Sequence, residues 1–242
     1  MTRPDPLVAA LRAVGCVFAE EEAAEIRRVL GDDDTAADAV VTARGNGVPL
    51  EHALGVALFA GVEVEVGPSV FVPRARAEVL VDEAVAARPD ARVVVDLGTG
   101  SGAIAAALTA RLPHADIHGA DLDPVAVRYA RRNAARYGYT VHEGHWWDAL
   151  PPALRGTVDL AVAYLPHVPT TRLDEIPGDY RAHEPDLSVA GGADGLDPLR
   201  RVLAALDDWL APGGILVTLV ADEQRENARR LIGGRRVLIT VG

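Results

Sequence analysis

Along the first quarter of the chain, apolar residues recur three and four positions apart. PLVAALRAV, AEEEAAEIRRVL and AADAVVTAR each show this spacing, and Gly15, Gly31 and Gly45 separate them, which predicts helices and turns up to about Leu58. GVEVEV and SVFV then alternate or run in β-rich residues around Gly67-Pro68, which predicts a hairpin there. ARAEVLVDEAVAAR follows as an amphipathic helix. From Arg92 the pattern changes again. VVVDL, ADIHGAD, VDLAVAY and GGILVTLV are short β-branched runs, separated by AIAAALTARL, PVAVRYARRNAARYG and LDPLRRVLAALDDWL at helical spacing. Strands alternating with helices of this length predict crossover units and a parallel sheet. The tail, RRVLITVG, reads as a last strand after a tight Gly233-Gly234 turn, and the few residues before it suggest an antiparallel placement beside ILVTLV.

Composition narrows the classes. With 242 residues, 49% of them hydrophobic, the chain is long enough for one α/β domain and a small helical extension. No run reaches the roughly 18 to 20 apolar residues of a membrane span. The first segment, MTRPDPLVAALRAVGC, is broken by Arg12 and followed by Glu20, Glu21 and Glu22, which suits an amphipathic helix better than a secretory leader. The single cysteine, Cys16, excludes an internal disulfide and fits a reducing cytoplasm, so a cytoplasmic location is expected. Seven scattered histidines form no metal-ligand pattern, and no metal is expected. All 24 basic side chains are arginine, as in a GC-rich genome, and the net charge is -11. RRNAAR (Arg131 to Arg136) and RRLIGGRR (Arg229 to Arg236) are too short for a basic stripe, so neither nucleic acid nor membrane is expected as a partner.

VVVDLGTGSGAIAAAL is the most informative segment. A buried strand reaches Asp96, and Gly98, Gly100 and Gly102 turn the chain into a helix whose free N–H groups face a ligand. One strand later, HGADLDP places Asp121 where a carboxylate can accept from both ribose hydroxyls. Gly98-x-Gly100-x-x-Ala103 also satisfies a loose dinucleotide pattern. The run D-L-G-T-G-S-G and an inverted last strand favour S-adenosylmethionine over NAD. The predicted cofactor contacts are Gly98, Thr99, Gly100, Gly102, Asp121, Leu122, Trp146 and Tyr164.

PLEHALGVALFAGVEVEVGPSVFVPRARAEVLV, DLGTGSGAIA, ADLDPVAVRYARRNA, EPDLSVAGGADGLDPLRRVL and LAPGGILVTLV run in colinear order from about Pro49 to Val220. Together they resemble the protein glutamine N5-methyltransferases that modify the Gly-Gly-Gln loop of peptide-chain release factors. The resemblance implies a Rossmann-like, seven-stranded class I methyltransferase fold with a short helical N-terminal extension. It divides the chain into a helical cap (1–60), a linker hairpin (61–74) and an S-adenosylmethionine-binding domain (75–242). In such enzymes the fourth strand ends in N-P-P-Y, whose asparagine and proline carbonyl hold the substrate amide. Here Tyr164, Leu165, Pro166 and His167 stand at those positions. A phenol cannot offer a donor and an acceptor in the amide's planar geometry. Ala75-Arg76-Ala77 likewise replaces P-E-T after Arg74, and His145 stands where an acidic residue faces the adenine edge.

These departures predict an acceptor other than release-factor glutamine, either a small molecule or another protein side chain. Tyr164, Leu165, Pro166, His167 and Arg74 are the predicted acceptor-binding residues, with Tyr164 and His167 as the catalytic candidates. His167 can act as a general base or simply wall the pocket, and Tyr164 can donate to substrate or plug the old amide site. One of Trp146 and Trp147 is expected to stack on the base and the other to lie in the core. Glu184 and Arg74 read as rim residues or as a surface salt bridge. His114, His118, His142 and His183 read as ordinary surface or edge positions without evident partners. Glutamine methylation through backbone carbonyls alone, a non-catalytic cofactor-binding regulator, and cofactor chemistry other than methyl transfer stay open as alternatives.

Overall fold

The structure, a computed structural model, describes residues 5–176 and 178–241. The outer ends of the cap and of the cofactor-binding domain, residues 1–4 and 242, lie outside the described residues.

Four helices open the chain: α1 (Pro6–Ala13), α2 (Ala19–Leu30), α3 (Asp34–Gly45) and α4 (Leu50–Leu54). Asp5 and Asp33 cap α1 and α3 by accepting from the amides of Leu7 and Ala36, each at 3.0 Å. Leu11, Ile26, Val40 and Val41 bury the inward stripes of α1, α2 and α3 in a small core of their own. A two-stranded antiparallel hairpin follows, β1 (Val56–Phe59) and β2 (Val62–Glu65). Its turn is Ala60-Gly61, not the Gly67-Pro68 that the strand pattern suggested. Both turn residues have positive φ, the geometry that matches strand twist. Pro68 and Pro73 cannot donate to a ladder, so SVFV packs as irregular chain with Val70 and Val72 buried. The hairpin is fixed to the main domain through Asn133, which accepts from the Glu65 amide at 2.7 Å and donates to the Glu65 carbonyl at 3.0 Å.

The main domain then runs α5 (Glu78–Ala87), β3 (Val93–Leu97), α6 (Ala103–Arg111), β4 (Asp116–Asp121), α7 (Pro124–Tyr137) and β5 (Thr140–Glu143). After these come β6 (Val158–Ala163), α8 (Gly178–His183), α9 (Asp197–Trp209), β7 (Leu210–Val220), α10 (Arg225–Ile232) and β8 (Val237–Val241). The six strands β3–β8 form one sheet in the order β5-β4-β3-β6-β7-β8, with every neighbouring pair parallel. Alternation along the strands sorts side chains between two cores. Val94, Leu160 and Val162 face α5, α6 and the hairpin, whereas Val95, Ala161 and Ala163 face α9 and α10. Each such fully buried valine or leucine stabilises the fold by about 1.5–3 kcal/mol.

Two expectations are corrected here. Among the described residues the sheet has six strands, not seven, and its last strand is parallel to β7, not antiparallel. The Gly233-Gly234 turn ends α10 instead of folding one strand back on another. Because α10 lies between β7 and β8, the connection is long enough for a crossover, and a crossover delivers a parallel strand. The inverted strand therefore lends no weight to the choice of cofactor, which rests on the glycine turn and Asp121.

Chain order reverses around β3: β4 and β5 continue to one side of it, and β6 returns to the other. Open parallel sheets bind ligands at such a switch point, beyond the carboxyl ends of the strands. Leu97 and Ala163 are register partners. The residues that follow them, Gly98 and Tyr164, consequently sit side by side at the switch.

Candidate active site

A cavity of about 340 Å³ opens at this switch point, with the glycine turn at one end and the tip of β6 at the other. Asp96, fully buried at the end of β3, organises the turn. Its Oδ2 accepts from the Thr99 hydroxyl at 2.6 Å and from the Ala105 amide at 3.2 Å. Burial raises the Asp96 pKa to about 7, against the pull of these two donors. Asp121 closes the turn from β4, accepting from the Gly100 amide at 2.8 Å and the Asp123 amide at 2.9 Å. It lines the cavity, and burial shifts its carboxyl upward as well.

Gly98 has φ +75, and a Cβ there would lie 3.2 Å from the Trp146 ring and 3.9 Å from the Tyr164 carbonyl. A side chain would enter the space between the two strand tips. Trp146 itself has a positive φ of 46, rare for a bulky residue, and this turns its ring onto Gly98. Trp146 Nε1 and Ser101 Oγ are buried without a partner among the described residues, and both residues line the cavity. Orphaned polar atoms of this kind call for a ligand. A nucleoside with a hydroxylated sugar fits this set: the free indole N–H, the serine hydroxyl, and the remaining lone pairs of Asp121.

Trp147 takes the opposite role. It is buried, donates to the Val202 carbonyl at 2.9 Å and stacks on Trp209 with ring centroids 5.7 Å apart. Thr99, Gly100 and Leu122 line the cavity, although the Thr99 hydroxyl is engaged with Asp96 beneath the loop. Gly102 does not line it. A Cβ on Gly102 would collide with the Tyr139 hydroxyl, so this glycine serves helix packing. His145 joins the wall with its ring 6.0 Å from that of Trp146.

At the other end, Tyr164, Leu165, Pro166 and His167 all line the cavity, as do Arg74 and Arg76. The Tyr164 hydroxyl accepts from Arg76 Nε at 2.9 Å, and its ring packs edge-on against Phe71 at 5.9 Å. The His167 ring is 5.6 Å from that of Tyr164. His167 Nδ1 lies 2.9 Å from the Leu165 carbonyl, which can only accept. Nδ1 therefore carries the proton and Nε2 the lone pair. Burial lowers the His167 pKa below its usual 6.5, and the Arg76 charge adds to this, so the ring is neutral at pH 7.

The backbone of His167 is clamped. The Gln224 side-chain amide donates to its carbonyl at 2.7 Å, and Gly191 and Gly195 pass so close that a Cβ on either would strike it. Sequence reasoning missed Gln224 and this clamp. The glycine cluster in VAGGADGLD was the only local sign of it.

Arg74 and Glu184 are not a surface salt bridge. The Glu184 side chain is 3% exposed and accepts from Arg74 Nη2 at 2.7 Å and from the Val72 amide at 2.8 Å. Arg74 also lies over the Tyr180 ring at 3.8 Å. Burial raises the Glu184 pKa while Arg74 and the Val72 amide oppose the shift. This pair braces the cavity wall between the linker and α8. Two of the histidines read as partnerless also have partners: His118 and His142 are bonded at 3.0 Å and stacked at the sheet edge. His183 lies edge-on to His52 at 6.4 Å. Among the described residues, no acidic, histidine or cysteine group is suited to hold a metal, and no helix is long and apolar enough to cross a membrane.

Comparison with known proteins agrees with this geometry. Residues 94–183 match the pattern of a methyltransferase domain. A release factor glutamine methyltransferase of Geobacter sulfurreducens is 39% identical over 189 residues, covering 77% of this chain and 66% of the relative. One from Streptomyces coelicolor is 39% identical over 189 residues, covering 76% and 67%. A third, from Mycobacterium tuberculosis, is 35% identical over 208 residues, covering 84% and 68%. The chain thus spans about two thirds of the length of these relatives. With identity of 35–39% extending over so much of both sequences, the chain belongs to the release factor glutamine methyltransferase family.

Proposed function

We propose that this chain is an S-adenosylmethionine-dependent methyltransferase whose acceptor is a small molecule or a protein side chain other than release-factor glutamine. The division of labour follows the chain: residues 75–242 carry the transfer, 61–74 supply the linker wall and 1–60 form a helical cap. When bound at the glycine turn, S-adenosylmethionine supplies a methyl group on a sulfonium centre. Asp121, Ser101 and Trp146 would hold and orient its nucleoside. His167 Nε2 would take the proton that the acceptor nucleophile gives up.

The observation that carries this reading is the Arg76–Tyr164 hydrogen bond at the tip of β6. An amide nitrogen is a weak nucleophile, because its lone pair is delocalised. It has to be gripped at both its N–H and its carbonyl to be methylated. Tyr164 has one hydroxyl, and the acceptor side of that hydroxyl is taken by Arg76. Loss of one preorganised polar contact to a transition state typically costs about 10²- to 10³-fold in rate.

The test pairs calorimetry with S-adenosylhomocysteine and incubation with methyl-labelled S-adenosylmethionine plus a release factor bearing the Gly-Gly-Gln loop. Heat of binding together with no multiple-turnover glutamine methylation is expected. Repeated turnover on that glutamine would refute the acceptor assignment, and absence of binding would refute the cofactor assignment.

A further inference from the structure

The charge of the cavity wall is divided between its two ends. Asp121 and Asp123 stand at the glycine turn, the cationic side chains Arg74 and Arg76 stand around the β6 tip, and Arg201 of α9 also lines the wall. Arg74 is neutralised by Glu184. Asp197, a further wall carboxylate, at the start of α9, is paired with Arg200 at 2.8 Å. Arg76 has no carboxylate partner among the described residues, in an acidic protein where most arginines have one. Its only hydrogen bond is from Nε to Tyr164, so both Nη groups are left without a partner among the described residues. The phenol holds the guanidinium in place and keeps its outer edge available.

That edge is the face of arginine that matches a carboxylate with two parallel N–H···O bonds. The surroundings are apolar: Phe59, Phe71, Leu165, Leu187 and Val189 line the same cavity. Leu187 is 56% exposed, an uncovered apolar side chain at this mouth. Arg76 also occupies the position at which the resemblance expects an acidic residue, and it touches Tyr164, which replaces the amide-holding asparagine. The two replacements form one unit.

We propose that Arg76 selects the acceptor, and that the acceptor is a small molecule carrying a carboxylate on an apolar body. This rests on the methyltransferase reading above and names the substrate class of the same site. Glutamine, a neutral amide, leaves the guanidinium edge unmatched, whereas a carboxylate satisfies it.

Phenylacetate and its neutral isostere phenylacetamide probe the idea directly. Each is titrated into protein saturated with S-adenosylhomocysteine. Wild type is expected to bind phenylacetate about ten-fold more tightly than the amide, the usual scale of a charge-assisted bond. Arg76→Gln is expected to bring the two within about two-fold while S-adenosylhomocysteine affinity holds, and Arg76→Lys to keep part of the preference. Equal affinities in wild type, no binding of either probe, or a preference that survives Arg76→Gln overturns the proposal and leaves the cofactor reading standing. Failure of S-adenosylhomocysteine itself to bind overturns both.

Discussion

The two ends of the cavity are built from different materials. At the glycine turn the contacts are main-chain amides, two carboxylates at strand ends, and a tryptophan held over Gly98. At the β6 tip the groups facing the cavity are mostly side chains: a tyrosine bonded to an arginine, and a histidine whose ring is turned by the Leu165 carbonyl. Backbone contacts are fixed by the fold, so changing them means changing the sheet. Side-chain contacts change one residue at a time while Leu97 and Ala163 stay in register beneath them. One region can therefore keep the donor of a family while the other is rebuilt for a new acceptor.

The largest break in this comparison comes from His167. His167→Ala is expected to lower turnover by about 10²- to 10⁴-fold, the range for losing a general base, with S-adenosylhomocysteine affinity nearly unchanged. The sign of the pH effect is set by the lowered pKa. The ring must be neutral to accept a proton, so wild-type turnover rises with pH through a value below 6.5 and is flat above it. The nearby charges act in opposite senses: Arg76 favours the neutral ring and Glu223 the charged one. In the variant this acidic limb disappears along with the rate. If turnover and limb both persist, His167 only walls the pocket.

Asp121 breaks the comparison from the other side. Asp121→Ala removes the acceptor for the Gly100 and Asp123 amides as well as the expected ribose contact. Hydrogen bonds to a charged group are each worth about 1.5–3 kcal/mol, so S-adenosylhomocysteine affinity is expected to fall about 100-fold by calorimetry. Circular dichroism checks that the sheet is intact. A loss of only a few-fold would mean that the glycine turn binds its ligand without this carboxylate.

The donor end was legible in the sequence because its parts are local. The strand at 93–97, the glycines that follow and Asp121 lie within one crossover unit, and each carries a residue type that its backbone position demands. The acceptor end has no such local pattern. What holds Tyr164 is Arg76, 88 positions away, and what holds Arg74 is Glu184, 110 positions away. No periodicity reports contacts of that span. The last strand was misread for a related reason. RENARRLI has only Ala228, Leu231 and Ile232 as apolar residues among five polar ones, so the helix that makes the crossover looked like charged connection. The hairpin turn was misplaced because Ala60, a residue without special turn chemistry, takes a left-handed conformation beside Gly61.

Tyr164→Asn sharpens the comparison with the smallest expected effect. Asparagine restores a carbonyl acceptor and an amide donor in one plane at the position where the two strand tips meet. The substitution also removes the Arg76–Tyr164 hydrogen bond and the ring that packs on Phe71. Leu165 remains where the resemblance expects a proline, so only part of the amide grip is expected to return. A gain of about ten-fold in methylation of a Gly-Gly-Gln peptide is expected, roughly one polar contact's worth. Affinity for S-adenosylhomocysteine should stay within a few-fold of wild type, since Gly98 meets the backbone carbonyl of residue 164 and not its side chain. If that affinity holds and glutamine activity does not rise, the block lies in the main chain at Leu165. The acceptor end would then be as fixed by its backbone as the donor end is, and the contrast between the two regions would fail.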